Sequence, residues 1–166
     1  MTPDIVVDVG NSRIKWGRIA AEAVVESVSL LPNDVLQWTD ALKRMGLDPP
    51  VKWAMAGVHQ VSITRFHDWA CKQGPVTELT RWDQLPLEYQ GVDPQTVGID
   101  RLLDAVSAIS QLPQGLPCVV IDAGTAVTVD LIDCAHRFAG GAILPGPRLM
   151  SASLHQYMNK LPDIQA

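Results

Sequence analysis

Two aspartates, Asp8 and Asp122, each end an apolar run and are followed two residues later by a glycine. The segments read "VVDVGNSRI" and "VIDAGTAVT", and each returns to apolar residues after the turn. A carboxylate at a strand end can hold a metal ion or its waters. Successive N–H groups at a glycine turn can form an anion-binding concavity. Together the two turns predict a site for phosphate groups and Mg²⁺.

Polar residues after each aspartate strengthen this interpretation. Asn11, Ser12 and Thr125 offer hydroxyl, amide and backbone N–H donors, and Lys15 on the return strand could place a positive charge on a phosphate. For either turn alone, an ordinary hairpin is the favoured interpretation, because Asp-x-Gly is common in hairpins. The repeated pattern at matching register favours a functional pair.

An aspartic protease is the other function that paired Asp-Gly turns suggest, because two carboxylates there share one proton. Such a dyad is braced by a Thr or Ser after each aspartate. Here those positions are Val9 and Ala123, whose side chains cannot hydrogen-bond. The sequence therefore disfavours a protease.

Two further segments carry candidate chemistry. In "VGIDR" (Val97–Arg101), Asp100 starts an amphipathic helix. It is either an N-cap or a carboxylate placed to accept a proton from a substrate hydroxyl. The side chain of Arg101 either faces solvent or binds a substrate carboxylate or phosphate through two N–H groups of its guanidinium. In "GGAILPG" (Gly140–Gly146), glycines flank a short strand, and their backbone could line a nucleotide site.

Predicted strands and helices alternate along the chain, which indicates the α/β class. Residues 81–98 are predicted to form a long surface loop. The predicted strands are 5–8, 12–19, 24–30, 51–58, 75–80 and 137–146, with a strand–turn–strand over 118–133. The predicted helices are one capped by Asn33 or Asp34 that stops at Gly46, one that runs through Ile63 and Ala70 and ends near Gly74, and two that span 100–112 and 147–161.

Composition narrows the class of protein. The chain has 166 residues, of which 47% are hydrophobic and 19% charged, so it is predicted to fold into one or two domains. A net charge of −5 argues against a nucleic-acid partner. Cys71, Cys118 and Cys134 have no paired spacing and are predicted to be buried thiols in a reducing compartment. No basic leader and no apolar run of about 20 residues is present, so we expect a cytoplasmic protein with no membrane partner.

The four segments, in their order along the chain, resemble type III pantothenate kinase from the first strand to about residue 160. This family belongs to the actin-like, sugar-kinase and Hsp70 ATPase superfamily. The resemblance implies an actin-like ATPase fold of duplicated ribonuclease H-like lobes. It also implies ATP-dependent phosphorylation of pantothenate to 4′-phosphopantothenate, the first step of coenzyme A synthesis. The implied cofactors are Mg²⁺ and a monovalent cation, K⁺ or NH₄⁺, and the implied assembly is a homodimer.

Roles of individual residues are carried over by position from the resemblance. Asp100 would be the general base on the pantothenate hydroxyl, Asp8 would lie close to Mg²⁺, and Asp122 would bind the monovalent cation. Pantothenate would contact Gly98, Ile99, Asp100 and Arg101. ATP would contact Asp8, Val9, Gly10, Asn11, Ser12, Arg13, Ile14, Lys15, Gly124 and Thr125.

The chain departs from the family pattern in two places. Gly91 stands where the family has a Tyr, three residues before Pro94, and Tyr89 lies two residues earlier. If lobes span residues 1–115 and 116–166, the second is incomplete, and we expect a fragment or a shortened form. A non-catalytic nucleotide-binding or regulatory module, or a kinase for another small hydroxylated substrate, is the alternative.

Overall fold

In the computed structural model, which describes residues 2–158 and residue 162, the chain forms two units, Met1–Gln84 and Leu85–Ala166. Each unit combines one sheet with helices, which confirms the predicted α/β class. The predicted lobe boundary after residue 115 stays a prediction. Among the described residues, no helix has the length and apolar character needed to cross a membrane.

The first unit is built on a five-stranded sheet of order β3-β2-β1-β4-β5. Strands β1 to β3 are antiparallel neighbours, while β4 is parallel to β1 and β5 to β4. Parallel neighbours need crossover connections, and helices α1 and α2 supply them. The elements are β1 (Ile5–Val9), β2 (Ile14–Ala20), β3 (Ala23–Leu30), α1 (Val35–Arg44), β4 (Trp53–Gly57), α2 (Gln60–Ala70) and β5 (Val76–Leu79).

The core of this unit lies on one face of the sheet. Alternate residues of β1, namely Ile5, Val7 and Val9, are buried there, so Asp8 lies on the other face. The indole rings of Trp16 and Trp53 pack edge to face with centroids 5.1 Å apart. Strands and helices together contribute five mutually packed aromatic residues: Trp16, Trp38, Trp53, Phe66 and Trp69.

The second unit is built on a four-stranded sheet of order β6-β9-β8-β7. Strands β7, β8 and β9 are antiparallel neighbours, and the short β6 is parallel to β9. The buried residues of α3, which contacts β7 and β8, include Leu102 and Ala105. The elements are β6 (Glu88–Tyr89), α3 (Ile99–Gln111), β7 (Cys118–Ala123), β8 (Ala126–Ile132), β9 (Arg137–Pro145) and α4 (Pro147–Tyr157).

The segment predicted as a surface loop contains short regular elements. It holds 3₁₀ turns at Trp82–Gln84 and Pro94–Thr96, with β6 between them. Asp93 caps the second turn, because its carboxylate accepts a hydrogen bond of 3.0 Å from Gln95 N. Elements of two or three residues leave no periodic pattern in a sequence. The predicted end of the last helix at residues 159–161 lies outside the described residues.

The prediction of buried cysteines is wrong for two of the three. Cys71 and Cys134 are exposed and Cys118 is half-buried, and all three thiols are free. Cys71 is the C-cap of α2, with its Sγ 3.6 Å from Nε2 of His67, and Cys134 lies in the β8–β9 turn. Helix ends and turns face solvent, whereas the prediction considered only residue type.

Candidate active site

The β1–β2 hairpin presents the first predicted phosphate turn. Gly10 N donates to Arg13 O at 3.0 Å, and this closes a four-residue loop, residues 10–13. Asp8 and Lys15 are cross-strand neighbours, and Nζ lies 3.6 Å from Oδ2 with both side chains at least half exposed.

Within this hairpin the predicted ATP-binding residues divide by exposure. Asn11, Ser12 and Arg13 are exposed at the tip. The side chains of Val9 and Ile14 are fully buried in the core. Only the backbone of those two residues is therefore able to face a ligand.

The β7–β8 hairpin presents the second predicted turn. Its loop is shorter, because Ala123 pairs with Val127 and Gly124 N donates to Ala126 O at 2.8 Å. Asp122 therefore lies opposite Thr128, six residues on, whereas Asp8 lies opposite Lys15, seven residues on. Asp122, Gly124 and Thr125 are all exposed.

Gly146 brings the last predicted segment, Gly140–Gly146, to this second turn. Gly146 N donates to Thr125 O at 2.9 Å, and a Cβ at Gly146 would overlap the carbonyl oxygens of Gly124 and Thr125. The close approach therefore requires glycine. Pro147 begins α4 directly afterwards, so the positive end of that helix lies beside the turn.

Helix α3 carries the predicted substrate residues. Its N-cap is Gly98, which offers no side-chain cap, so the alternative of Asp100 as the N-cap is wrong. Ile99 is buried, and Asp100 is half-buried in the first turn, where its Oδ1 accepts from Arg101 N at 2.9 Å. An acidic residue in this turn is favoured by the helix dipole.

Arg101 is engaged within the unit by a residue that the sequence did not single out. Its Nε lies 3.0 Å from Oδ2 of Asp130 on β8, and its Nη2 also donates to Oδ1. These hydrogen bonds, which Arg101 donates to Asp130, hold the pKa of Arg101 above its ordinary value, against the opposing effect of desolvation. The one sequence signal for a buried Asp130 is its place two residues before Ile132, because alternate residues of a strand lie on the same face of the sheet.

At position 91, where the family pattern has a Tyr, the backbone conformation favours the glycine that this chain has. Its φ of +71° lies in the left-handed region, where a Tyr would be strained. Tyr89 is instead part of β6, paired with Phe138 on β9, and the two ring centroids are 6.5 Å apart.

Asp8 and Asp122 are the carboxylates suited to cations. Both are exposed, and carboxylate oxygens are the ligands that Mg²⁺ and alkali-type hard cations prefer. Within residues 2–158 and 162, no three His, Cys, Asp or Glu side chains cluster closely enough to hold a metal. This arrangement fits a Mg²⁺ held by one carboxylate together with substrate phosphates and waters.

Known proteins resemble this chain over nearly its whole length. The family model described as type III pantothenate kinase matches residues 5–166. A type III pantothenate kinase of Flavobacterium johnsoniae is 36% identical over 160 residues, which are 95% of this chain and 64% of that protein. One of Phocaeicola vulgatus is 34% identical over 98% of this chain and 66% of its own length. The chain thus spans slightly less than two thirds of these two relatives.

One solved structure aligns with most of the chain at low similarity. It is the crystal structure of the Aquifex aeolicus member of the Ppx/GppA family, which covers 95% of this chain and 54% of its own. Its identity of 12% and TM-score of 0.44 are too low to support a conclusion.

Proposed function

The chain belongs to the type III pantothenate kinase family, and on that premise we propose that it binds ATP and phosphorylates pantothenate. The product is 4′-phosphopantothenate, which begins coenzyme A synthesis. The observation that carries the proposal is the family match over residues 5–166, which includes all four predicted segments.

The β1–β2 hairpin supports phosphate binding in the first unit. Its exposed tip offers the backbone and side-chain donors of Asn11 and Ser12, and Lys15 adds a positive charge. Phosphoryl transfer depends mainly on positioning and charge neutralisation, which such a hairpin can supply.

The β7–β8 hairpin supports phosphate binding in the second unit. Gly124 and Thr125 are exposed, and the residue that contacts them, Gly146, is the N-cap of α4, which begins at Pro147. A turn of backbone N–H groups beside a helix N-terminus is a favourable environment for an anion.

In the proposed reaction the hydroxyl oxygen of pantothenate attacks the γ-phosphorus of ATP. A bond forms between that oxygen and phosphorus, the bond to the bridging oxygen breaks, and ADP leaves. Asp100 accepts the hydroxyl proton as general base. Gly98 and Ile99 would contact pantothenate through their backbone, because Gly98 has no side chain and that of Ile99 is buried.

Cations complete the proposed site. Asp8 would hold Mg²⁺, and Asp122, with the hydroxyl of Thr128 opposite, would hold K⁺ or NH₄⁺. When bound, these ions would neutralise charge on the phosphates.

The assembly and location follow from the same premise. We propose a cytoplasmic homodimer. Exposed apolar residues on one face of the second sheet, Val119 and Ile121 with Leu131 opposite Val119, agree with a protein that associates. Sedimentation velocity over a concentration series tests the dimer, and a monomer at all concentrations would contradict it.

Asp100→Asn tests the kinase proposal. We expect ADP release dependent on pantothenate to fall by about 10²–10⁴-fold, because the general base is lost, while ATP still binds. The matched control is Asp104→Asn, one turn further along α3, which should retain a rate within a few fold of wild type. A normal rate in Asp100→Asn would refute its assignment as the base.

A nucleotide-binding module without turnover is the second candidate, because both exposed hairpin turns offer groups for a phosphate whether or not transfer follows. ATP binding by calorimetry with no ADP release from the 166-residue chain would favour it. Release of ADP with another small alcohol but not with pantothenate would favour a kinase for a different substrate.

A further inference from the structure

A buried ion pair joins the start of α3 to the middle of the second sheet. The side chain of Asp130 is 2% exposed and that of Arg101 is 12% exposed. Nε of Arg101 lies 3.2 Å from Oδ1 and 3.0 Å from Oδ2, so one edge of the guanidinium binds both carboxylate oxygens. Such a two-oxygen arrangement fixes direction as well as distance.

Strand β9 has an irregular register where it lies beside this ion pair. Asp130 and Ile132 are two positions apart on β8, whereas their partners on β9, Gly141 and Phe138, are three positions apart. The extra residue makes a β-bulge, within which Gly140 has a φ of +88°.

The residues on either side of the bulge contact the ion pair directly. A Cβ at Gly141 would overlap Oδ1 of Asp130, so the absence of a side chain leaves room for the carboxylate. The ring of Phe138 lies 5.9 Å from the guanidinium carbon of Arg101. The bulge thus lets two residues of β9 face the same pair.

The position of Arg101 in its helix shows what the pair does. A cation in the first turn is disfavoured by the helix dipole, and Gly98 provides no side-chain cap there. The hydrogen bonds to Asp130 offset both deficits and fix the first turn to the sheet. Asp100 is the neighbouring residue in that turn, and its Oδ1 accepts from the backbone N–H of Arg101.

We propose that Asp130 is a positioning residue, which holds the first turn of α3 through Arg101 and so orients the carboxylate of Asp100. The catalytic part of this inference rests on the proposed kinase function. The mechanical part, that Asp130 fixes the helix start, does not.

Asp130→Asn tests the catalytic part, because it keeps the shape and removes the charge. We expect kcat for ADP release to fall by about 10–100-fold, since a displacement of about 1 Å can cost that much. KM for ATP should change by less than about threefold, because Asp130 lies in none of the predicted ATP-binding segments. The rates are measured at a temperature where circular dichroism shows the variant folded.

Asp133→Asn is the matched control. Asp133 also pairs with an arginine of this unit, Arg137, four residues away in the β8–β9 turn, with 2.7 Å between Nη2 and a carboxylate oxygen. Its carboxylate accepts hydrogen bonds from Ala135 and Arg137, which lie outside α3. Its kcat should stay within about twofold of wild type, so that loss of an ion pair alone does not explain the effect.

Asp130→Glu covers the case in which Asp130→Asn does not fold. It keeps the charge but is one methylene longer, and Gly141 leaves no space for the extra length. We expect a folded protein with kcat lowered by about tenfold. A wild-type kcat in Asp130→Glu, or in folded Asp130→Asn, overturns the proposal.

Hydrogen exchange separates this inference from the kinase proposal. In Asp130→Asn, amides of residues 99–105 should exchange about tenfold faster, while those of α1 in the other unit stay unchanged. If the wild-type chain releases no ADP but this exchange increases, Asp130 fixes the helix and the kinase proposal fails. If the wild-type chain is active and Asp130→Asn alters neither kcat nor exchange, the kinase proposal stands and the positioning role is refuted.

Discussion

The β1–β2 and β7–β8 hairpins share the Asp-x-Gly pattern but differ in what surrounds the carboxylate. Asp8 lies opposite Lys15, whose Nζ is 3.6 Å from its carboxylate. Asp122 lies opposite Thr128, a neutral residue. The difference comes from the residue types on the return strand, since a loop as long as the first would place Val129, also neutral, opposite Asp122.

The surroundings of the two tips differ as well. In the first hairpin the tip residues Asn11 to Arg13 are exposed. In the second, the carbonyl oxygen of Thr125 is bound by the N–H of Gly146. The two turns thus differ both in the residue opposite the aspartate and in what binds at the tip. We propose that these differences go with the separate roles assigned above, Mg²⁺ at Asp8 and a monovalent cation at Asp122.

Among the variants that separate the two hairpins, we expect Asp8→Asn to have the largest effect. We expect turnover to fall by about 10²–10³-fold, because the charged ligand proposed for Mg²⁺ is lost. Initial rates over a Mg²⁺ series should show a higher Mg²⁺ requirement. The control is Asp40→Asn, an exposed aspartate on α1, and a normal rate and Mg²⁺ requirement in Asp8→Asn would remove the distinction between the hairpins.

Gly146→Ala should have the next largest effect. Its Cβ would overlap the second turn, and overpacking of this kind costs about 1–3 kcal/mol. The control is Gly124→Ala, whose Cβ has only an ordinary contact of 3.8 Å with Ala126 O.

Urea unfolding followed by far-UV circular dichroism measures both glycine variants. Tryptophan fluorescence is the internal reference for the first unit, because all five tryptophans lie in residues 1–84. Equal stability of Gly146→Ala and Gly124→Ala would show that contact with Gly146 does not brace the second turn.

A smaller effect is expected for Asp122→Asn. Loss of one charge next to a monovalent cation at an exposed site is worth about 1 kcal/mol, or about fivefold in the cation concentration needed. Rates measured over K⁺ and Mg²⁺ series should show a change in the K⁺ dependence alone. A changed Mg²⁺ requirement would mean that the two carboxylates do not have separate roles.

The smallest effect on stability is expected for Lys15→Gln. The pair with Asp8 is solvent-exposed, so its loss should lower the free energy of unfolding by only about 0.2–1 kcal/mol. The KM for ATP should rise severalfold, because a positive charge near the phosphates is lost. An unchanged KM would indicate that Lys15 pairs with Asp8 and does not bind the nucleotide.

Much of the fold could be predicted from sequence periodicity. The apolar run before Asp8 predicted β1, and the 3.6-residue pattern after Gly98 predicted α3. The short elements in residues 81–98 were missed, since two or three residues carry no period. The exposure of Cys71 was missed because it depends on where α2 ends.

For the candidate site, the sequence by itself determined which residue types stand at each turn. The hydrogen-bonding groups of "DVGNSRIK", "GIDR" and "DAGT" are local, so their chemistry could be listed without a fold. Their order along the chain also sufficed to identify the family.

Which residue lies next to each charged side chain could be read only from the tertiary structure. Arg101 and Asp130 are 29 residues apart in sequence, and they meet because α3 packs on β8 beside a bulge at Gly140. Asp122 faces Thr128 rather than Val129 because its loop is one residue shorter than that of the first hairpin. Such pairings depend on register and packing between distant segments, which local sequence patterns do not specify.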